Sequence, residues 1–304
     1  MYLIIVELNV LNIFEFLVLK IKKSVDKCRN VLYNYIVKSN YMEGTMAHKI
    51  CFINQKGGVG KTTTTLQTAA YLTLKKGKRV LMIDMDPQGN LTSCVGVNTD
   101  GENTVSELLL NEAKFHDTVK STPYGDIIPS DSALGYREME ISGKIGRELL
   151  LFQALKDKLS DYDYVLIDCP PAINTFTYNV FMVADSVVVV SEVGFFSARG
   201  CGKMIDTVRQ AVGVYDRDIH IAGILFTKNN NTKLAREIRE QVEIVSNEYG
   251  VKVFNTLIGT FPAPIGESQA LCKSLFDYDP KNKVTKQYAD AIEEIIAAVE
   301  EKGE

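Results

Sequence analysis

Asn54-Gln55-Lys56-Gly57-Gly58-Val59-Gly60-Lys61-Thr62-Thr63 is the stretch that decides the fold of this 304-residue chain. It stands between Ile50–Ile53, a short β-branched run that reads as a strand, and an apolar helical pattern that begins near Thr63. That pattern puts Leu66, Ala69, Ala70, Thr73 and Leu74 on one face and stops at Gly77. Strand, glycine-rich turn and helix are the context a phosphate-binding loop requires. Gly57, Gly58 and Gly60 let backbone N–H groups, that of Val59 among them, close around phosphate oxygens without side-chain collision. The start of the helix, with Thr63, adds unpaired donors and a partial positive charge. Lys61 is placed to bridge terminal phosphates, and the Thr62 hydroxyl to ligate Mg²⁺.

The same alternation continues outward. Arg79–Met85, Asp126–Ile128, Tyr164–Ile167, Ser186–Val190, Ile219–Phe226 and Val251–Ile258 read as strands. Glu148–Leu159, Thr175–Val183, Ala198–Val212 and Lys233–Tyr249 read as helices between them. Runs such as Val187–Val190 lack polar alternation, as strands buried on both faces do. The predicted class is therefore α/β: a twisted, mostly parallel sheet with helices on both faces. No internal repeat is present.

Two further segments end in carboxylates. Leu81-Met82-Ile83-Asp84-Met85-Asp86-Pro87-Gln88-Gly89-Asn90 feeds two alternate aspartates to the carboxyl end of a strand, where Pro87 and Gly89 force a turn. Tyr164–Ile167 ends in Asp168-Cys169-Pro170-Pro171, and Asp168 is placed to hold Mg²⁺ through water.

The loop departs from the general phosphate-loop pattern, because Gln55 replaces its first glycine and Lys56 follows. Lys-Gly-Gly-Val-Gly-Lys-Thr is similar to the deviant Walker A motif. Together with Asp-Met-Asp-Pro-Gln-Gly-Asn and Asp-Cys-Pro-Pro, the chain resembles the ParA/Soj partition ATPases, relatives of MinD, over residues 46–304. The resemblance implies a P-loop NTPase fold, ATP and Mg²⁺ as cofactors, and a weak intrinsic ATPase. It implies three catalytic roles: Lys61 on the phosphates, Asp86 orienting or activating the attacking water, and Lys56 reaching the nucleotide of a second copy in a sandwich dimer. It also implies that Asp84 joins Thr62 and Asp168 near the metal, and that Pro262 in Thr260-Phe261-Pro262 lines the adenine. Nonspecific DNA and a ParB-like centromere-binding protein are the implied partners, and plasmid, mobile-element or chromosome partition the implied task. Two alternatives stay open from the sequence: a related ATPase that positions a protein cargo, and a nucleotide-switched carrier or regulator.

Composition narrows the remainder. Hydrophobic residues make up 46% and charged residues 24%, which excludes wholesale disorder. Net charge is −4, so nucleic-acid binding needs a local basic patch. Lys233, Arg236 and Arg239 on one helix are candidates, with Arg199, Lys203, Lys273, Lys281, Lys283 and Lys286. The family often carries an arginine in the loop after its adenine segment for DNA contact, where this chain has Gly266. Six scattered cysteines without a C-x-x-C pair fit a reducing cytosol better than a disulfide framework or zinc site. Cys169 reads as packing in the turn after Asp168.

The C-terminal helix sets Val284, Tyr288, Ile292, Ile295 and Val299 on one face and acidic residues on the rest. That is the wrong polarity for a lipid-targeting tail, so no stable membrane association is expected; the family resemblance implies a cytoplasmic, nucleoid-associated location. Residues 1–45 differ from the rest: no Ala, no Pro, one Gly, and six basic against four acidic side chains. They read either as sequence upstream of a natural start at Met46 or as an amphipathic appendage; they suit neither a membrane span nor a signal peptide.

Overall fold

The computed structural model describes Lys20 and residues 47–194, 197–215, 217, 219–230 and 232–301. Lys20 apart, the two readings of residues 1–45 fall outside the described residues.

Seven strands form one sheet: β1 (His48–Ile53), β2 (Val80–Asp84), β3 (Lys120–Thr122), β4 (Gly125–Ile128), β5 (Tyr164–Asp168), β6 (Ser186–Glu192) and β7 (His220–Thr227). Their order is β3-β4-β2-β5-β1-β6-β7. Every pairing is parallel except that of β3 with β4. The period of two along each strand divides the core into two layers. Ile50, Phe52, Met82, Leu166, Val188 and Val190 face the first helix (Lys61–Lys76) and the C-terminal helix (Lys283–Glu300). Cys51, Ile53, Ile83, Val165, Ile167, Val187 and Val189 face Thr175–Val183 and Ser197–Gly213. Each fully buried aliphatic side chain contributes about 1.5–3 kcal/mol, so both layers must be filled for the sheet to stand.

The C-terminal helix packs as its pattern predicts, with Val284, Tyr288, Ile292, Ile295 and Val299 all buried. The apolar face is spent on the core.

Three local expectations change. In the first helix Leu74 is 45% exposed while Leu72 is buried. That helix is covered on nearly every side through Leu72, and its last turn, with Lys75 and Lys76, emerges into solvent. The Glu148–Leu159 helix is a 3₁₀ turn at Arg147–Leu149 followed by Leu150–Leu155. It stops where Lys156 turns extended and Asp157 takes a positive φ of 59°. The antiparallel edge strand β3 and the short helices between Asn90 and Gly143 carry too little periodicity to be read from sequence.

The last change is at Val251–Ile258, which is not a continuous strand. It bonds to β7 at two places, through Phe254 N–H to Ile224 C=O (3.0 Å) and Ile258 N–H to Phe226 C=O (2.9 Å). Between them the backbone N–H groups of Asn255 and Thr256 turn to the Glu294 carboxylate at 2.7 and 2.8 Å. A side chain from the C-terminal helix replaces the ladder partner there.

Candidate functional site

The carboxyl ends of β1, β2 and β5 converge at one edge of the sheet, where ligands bind in open α/β folds. The loop after β1 is held from both sides. Asn54 donates its Nδ2 to Val190 C=O at 2.7 Å and accepts the Lys56 N–H at 2.9 Å. The Thr227 hydroxyl at the end of β7 donates to Val59 C=O at 2.6 Å. Gly60 precedes the first helix with φ 95°, in the left-handed region that side chains avoid. No side chain caps that helix. Its first N–H groups are therefore free to take an anion.

A cavity of about 520 Å³ opens over this helix end. Gly57, Gly58, Val59, Gly60, Lys61, Thr62 and Thr63 line it, with Asp86 facing them. Lys61 is only 6% exposed, so its ammonium is committed to the cavity.

Below the loop, strand register sets Asp84 directly beside Asp168 on β2 and β5. Both are fully buried. Asp84 is well satisfied: Oδ1 accepts from Asp86 N–H (3.1 Å), and Oδ2 from Thr92 N–H (2.9 Å) and the Thr92 hydroxyl (2.8 Å). Asp168 Oδ2 accepts from the Thr62 hydroxyl at 2.6 Å, whereas Oδ1 is buried with no hydrogen-bond partner among the described residues. Burial pushes Asp84 up to about 6 against the pull of Thr92. Burial, and next the charge of Asp84, push Asp168 well above the usual carboxylate range; Thr62 and Lys61 oppose this.

Two adjacent buried carboxylates with one orphaned oxygen make a site short of positive charge. A divalent cation fits here: Thr62 gives its proton to Asp168 and keeps lone pairs for a hard ion, while Asp168 Oδ1 is left to accept from a metal-bound water. Asp84, with both oxygens engaged, acts on such an ion through charge.

The pH dependence follows in sign. A carboxylate whose folded pKa is raised binds its proton more tightly folded than unfolded. Stability of the nucleotide-free protein should fall as pH rises from about 4 through 6. Added Mg²⁺–ADP should raise the melting temperature more at pH 7.5 than at pH 5. A flat denaturation profile between those values would remove the claim that two adjacent buried carboxylates sit under the loop.

Asp86 lies past the end of β2, 8% exposed and facing the cavity. Its Oδ1 accepts the Gln88 N–H (3.0 Å) and its backbone C=O the Ser130 hydroxyl (2.9 Å). Gly89 closes this turn at φ 59°, and a Cβ there would meet Ser130 O at 2.7 Å. The turn therefore needs glycine on two counts.

Two predicted residues stand apart. Lys56 does not line the cavity; its side chain is 62% exposed and forms an ion pair with Glu192 at the end of β6. Pro262 opens the helix Pro262–Ala270, and the cavity wall there is made by Ile258, Gly259, Ile265 and Gln269 instead. Gln269 donates to the Thr63 hydroxyl at 3.2 Å, joining that helix to the loop. Thr92, Gln269 and Cys94 also belong to the site's surroundings, and no local motif marks them.

The AAA domain family matches residues 47–221. The sporulation initiation inhibitor protein Soj of Bacillus subtilis (strain 168) is 35% identical over 256 residues, covering 83% of this chain and 99% of Soj. The chromosome-partitioning ATPase Soj of Treponema pallidum (strain Nichols) is 34% identical over 257 residues, covering 83% and 98%. Among solved structures, the cobyrinic acid a,c-diamide synthase of Mycobacterium smegmatis with bound ADP and magnesium superposes with a TM-score of 0.70. It is 26% identical and covers 85% of this chain and 97% of its own. The chain belongs to the Soj/ParA family of partitioning ATPases.

Proposed function

We propose that this protein is a Mg²⁺-dependent ATPase of DNA segregation: ATP closes two copies face to face, the pair holds DNA without regard to sequence, and a ParB-like partner stimulates hydrolysis. The observation that carries this reading is the uncapped helix end with buried Lys61 above the Asp84–Asp168 pair, while Lys56 stays outside the cavity. Lys61 and the loop amides hold the phosphates. Thr62 and Asp168 would hold Mg²⁺, which when bound would supply charge neutralisation at the phosphates. Asp86 faces the place where water would attack and orients it as a base. Lys56 must leave Glu192 to serve the nucleotide of a second copy. A long, exposed ammonium on the rim has the reach for that role.

An apolar surface beside the mouth supports the face-to-face pair. Tyr136, Met139 and Ile145 are 86%, 89% and 100% exposed. They belong to the segment around the helices Ser132–Tyr136 and Glu138–Gly143. At Gly135 that segment rests against Pro87, next to Asp86; Glu138 accepts from Asn174 (3.0 Å), and Ser142 bonds Thr175 (2.8 Å) after the Pro170-Pro171 turn. It thus rides on both the Asp86 turn and the segment after Pro171. Ile145→Asp should leave folding within about 0.5 kcal/mol, since the side chain touches only solvent. It should weaken ATP-dependent dimerisation at least ~10-fold. Unchanged dimer formation in analytical ultracentrifugation would put the interface elsewhere.

The DNA surface is narrower than the sequence pattern. On the helix Lys233–Glu248, Arg239 is taken by Glu243 (2.6 Å) and Asn255 C=O (3.3 Å). Lys233 is exposed beside Glu237 (3.7 Å), and Arg236, Lys273, Lys281, Lys283 and Lys286 are exposed; the Arg199 side chain lies outside the described residues. Filter binding with a hydrolysis-resistant ATP analogue tests the reading. Retention of random-sequence DNA should require nucleotide and fall steeply with salt. Absence of nucleotide-dependent retention at low salt would refute DNA as the cargo track. Among the described residues no helix is long and apolar enough to cross a membrane.

A further inference from the structure

Two cysteines beside the cavity have no part in the reading above. Cys94 ends the short helix Asn90–Cys94 that follows the Asp86 turn, and its partly buried side chain lines the cavity. Cys272 is exposed and lies just past the helix Pro262–Ala270, whose Gln269 lines the same cavity. The two segments touch. The Cys272 thiol donates to the C=O of Ser93, the neighbour of Cys94, at 3.4 Å. A Cβ added at Gly96 would stand 3.3 Å from Cys272 Cβ and 3.6 Å from its sulfur. Cys272 holds this place at φ 50°, a left-handed conformation that costs a residue with a Cβ about 1–2 kcal/mol. The chain accepts that strain at an exposed thiol, which it sets against the carbonyl that precedes Cys94.

The other cysteines among the described residues differ. Cys51, Cys169 and Cys201 are buried at 0–1% exposure and give an oxidant no approach.

We propose that Cys94 and Cys272 form a redox modification site, in which exchange with a low-molecular-weight disulfide joins them and ties the helix after Asp86 to the segment after Gln269. The exposed Cys272 thiolate attacks one sulfur of the external disulfide RS–SR. A Cys272–SR bond forms, and RS⁻ leaves and takes up the proton. Cys94, once deprotonated, attacks the Cys272 sulfur; the bond to SR breaks and a second thiol is released. Two cysteine thiols are oxidised and one external disulfide is reduced to two thiols. Burial, and next the charge of Asp168, push the Cys94 thiol up to about 11, so Cys94 is the slower, resolving partner.

The bridge stands on this geometry alone. Its consequence rests on the nucleotide reading: a covalent tie between two walls of the cavity slows passage of ATP and ADP in both directions.

The test uses the full chain equilibrated with glutathione disulfide, alkylated, and digested without reduction. A Cys94–Cys272 linked peptide should form; Cys94→Ser should instead keep a glutathione adduct on Cys272. Separate adducts on both cysteines of the wild type, with no linked peptide, would overturn the site. Release of a fluorescent ATP analogue should slow about tenfold on oxidation and recover with dithiothreitol. Cys272→Ser should bind the analogue normally and lose this response. A formed bridge with unchanged release would overturn the closing effect. If the reduced wild type binds no analogue while the bridge forms, the nucleotide reading fails and the cysteine pair stands.

Discussion

Replacing Lys61 by alanine should cost the protein at least ~100-fold in affinity for Mg²⁺–ATP, the ~3 kcal/mol of a desolvated charge-assisted contact. The reason lies in what surrounds it. Lys61 is 6% exposed and its charge is among the influences that hold the Asp168 proton affinity down. Removing it strips the phosphates of their internal cation. It also leaves Asp168, fully buried beside Asp84, without an ammonium that favours its charged form. The repulsion those carboxylates exert on a polyphosphate then rises as the attraction falls. Titration with a fluorescent ATP analogue measures the loss. Lys61→Arg should not rescue it, because a planar guanidinium is larger than the point charge that a cavity walled by Val59 and Thr62 receives. Affinity within threefold of wild type for the alanine variant would mean the cavity is not where phosphate sits.

Asp86→Ala should behave in the opposite manner, keeping nucleotide affinity within about threefold and losing ~10²–10⁴ in turnover, the range expected for a positioned base. Among the described residues, the carboxylate faces the cavity yet holds only the Gln88 N–H by its side chain. Asp86→Asn separates the two duties. It retains an oxygen for Gln88 and so preserves the turn, but it offers no base to water. If the asparagine variant turns over normally while the alanine variant fails in binding and turnover alike, Asp86 shapes the loop and does not act on water. Phosphate release under single-turnover conditions, read beside equilibrium binding, distinguishes the cases.

How much of this was legible in the sequence depends on how far apart the partners lie. The loop from Lys56 to Thr63 is local: strand, glycines and helix follow one another, so the residues that build the anion site are contiguous. Asp84 and Asp168 could each be read as strand-end carboxylates. That they stand side by side is a matter of register between β2 and β5, which no single segment encodes. The helix Lys283–Glu300 was predictable from one well-defined apolar stripe. The Val251–Ile258 run has strand composition, and its break comes from Glu294, a residue some forty positions on.

The same distance hides the Lys56–Glu192 ion pair and the approach of Cys272 to Ser93. Gly89 is the instructive middle case. Its turn was readable from Pro87 and Gly89, but the second reason for glycine, the Ser130 carbonyl against it, appears only once β4 is in place. Residues that act through backbone conformation leave a local mark, and residues that act through a partner do not.

The account stands on a nucleotide-closed pair in which Lys56 of one copy completes the phosphate site of the other. Light scattering on the size-exclusion peak, with Mg²⁺ and a hydrolysis-resistant ATP analogue at saturation, tests this most directly. The wild type should elute at twice the mass of the nucleotide-free chain, and Lys56→Ala, with its nucleotide site filled, should remain at one. A wild type that stays at single mass with analogue bound, or a Lys56→Ala variant that pairs as well as the wild type, would contradict it.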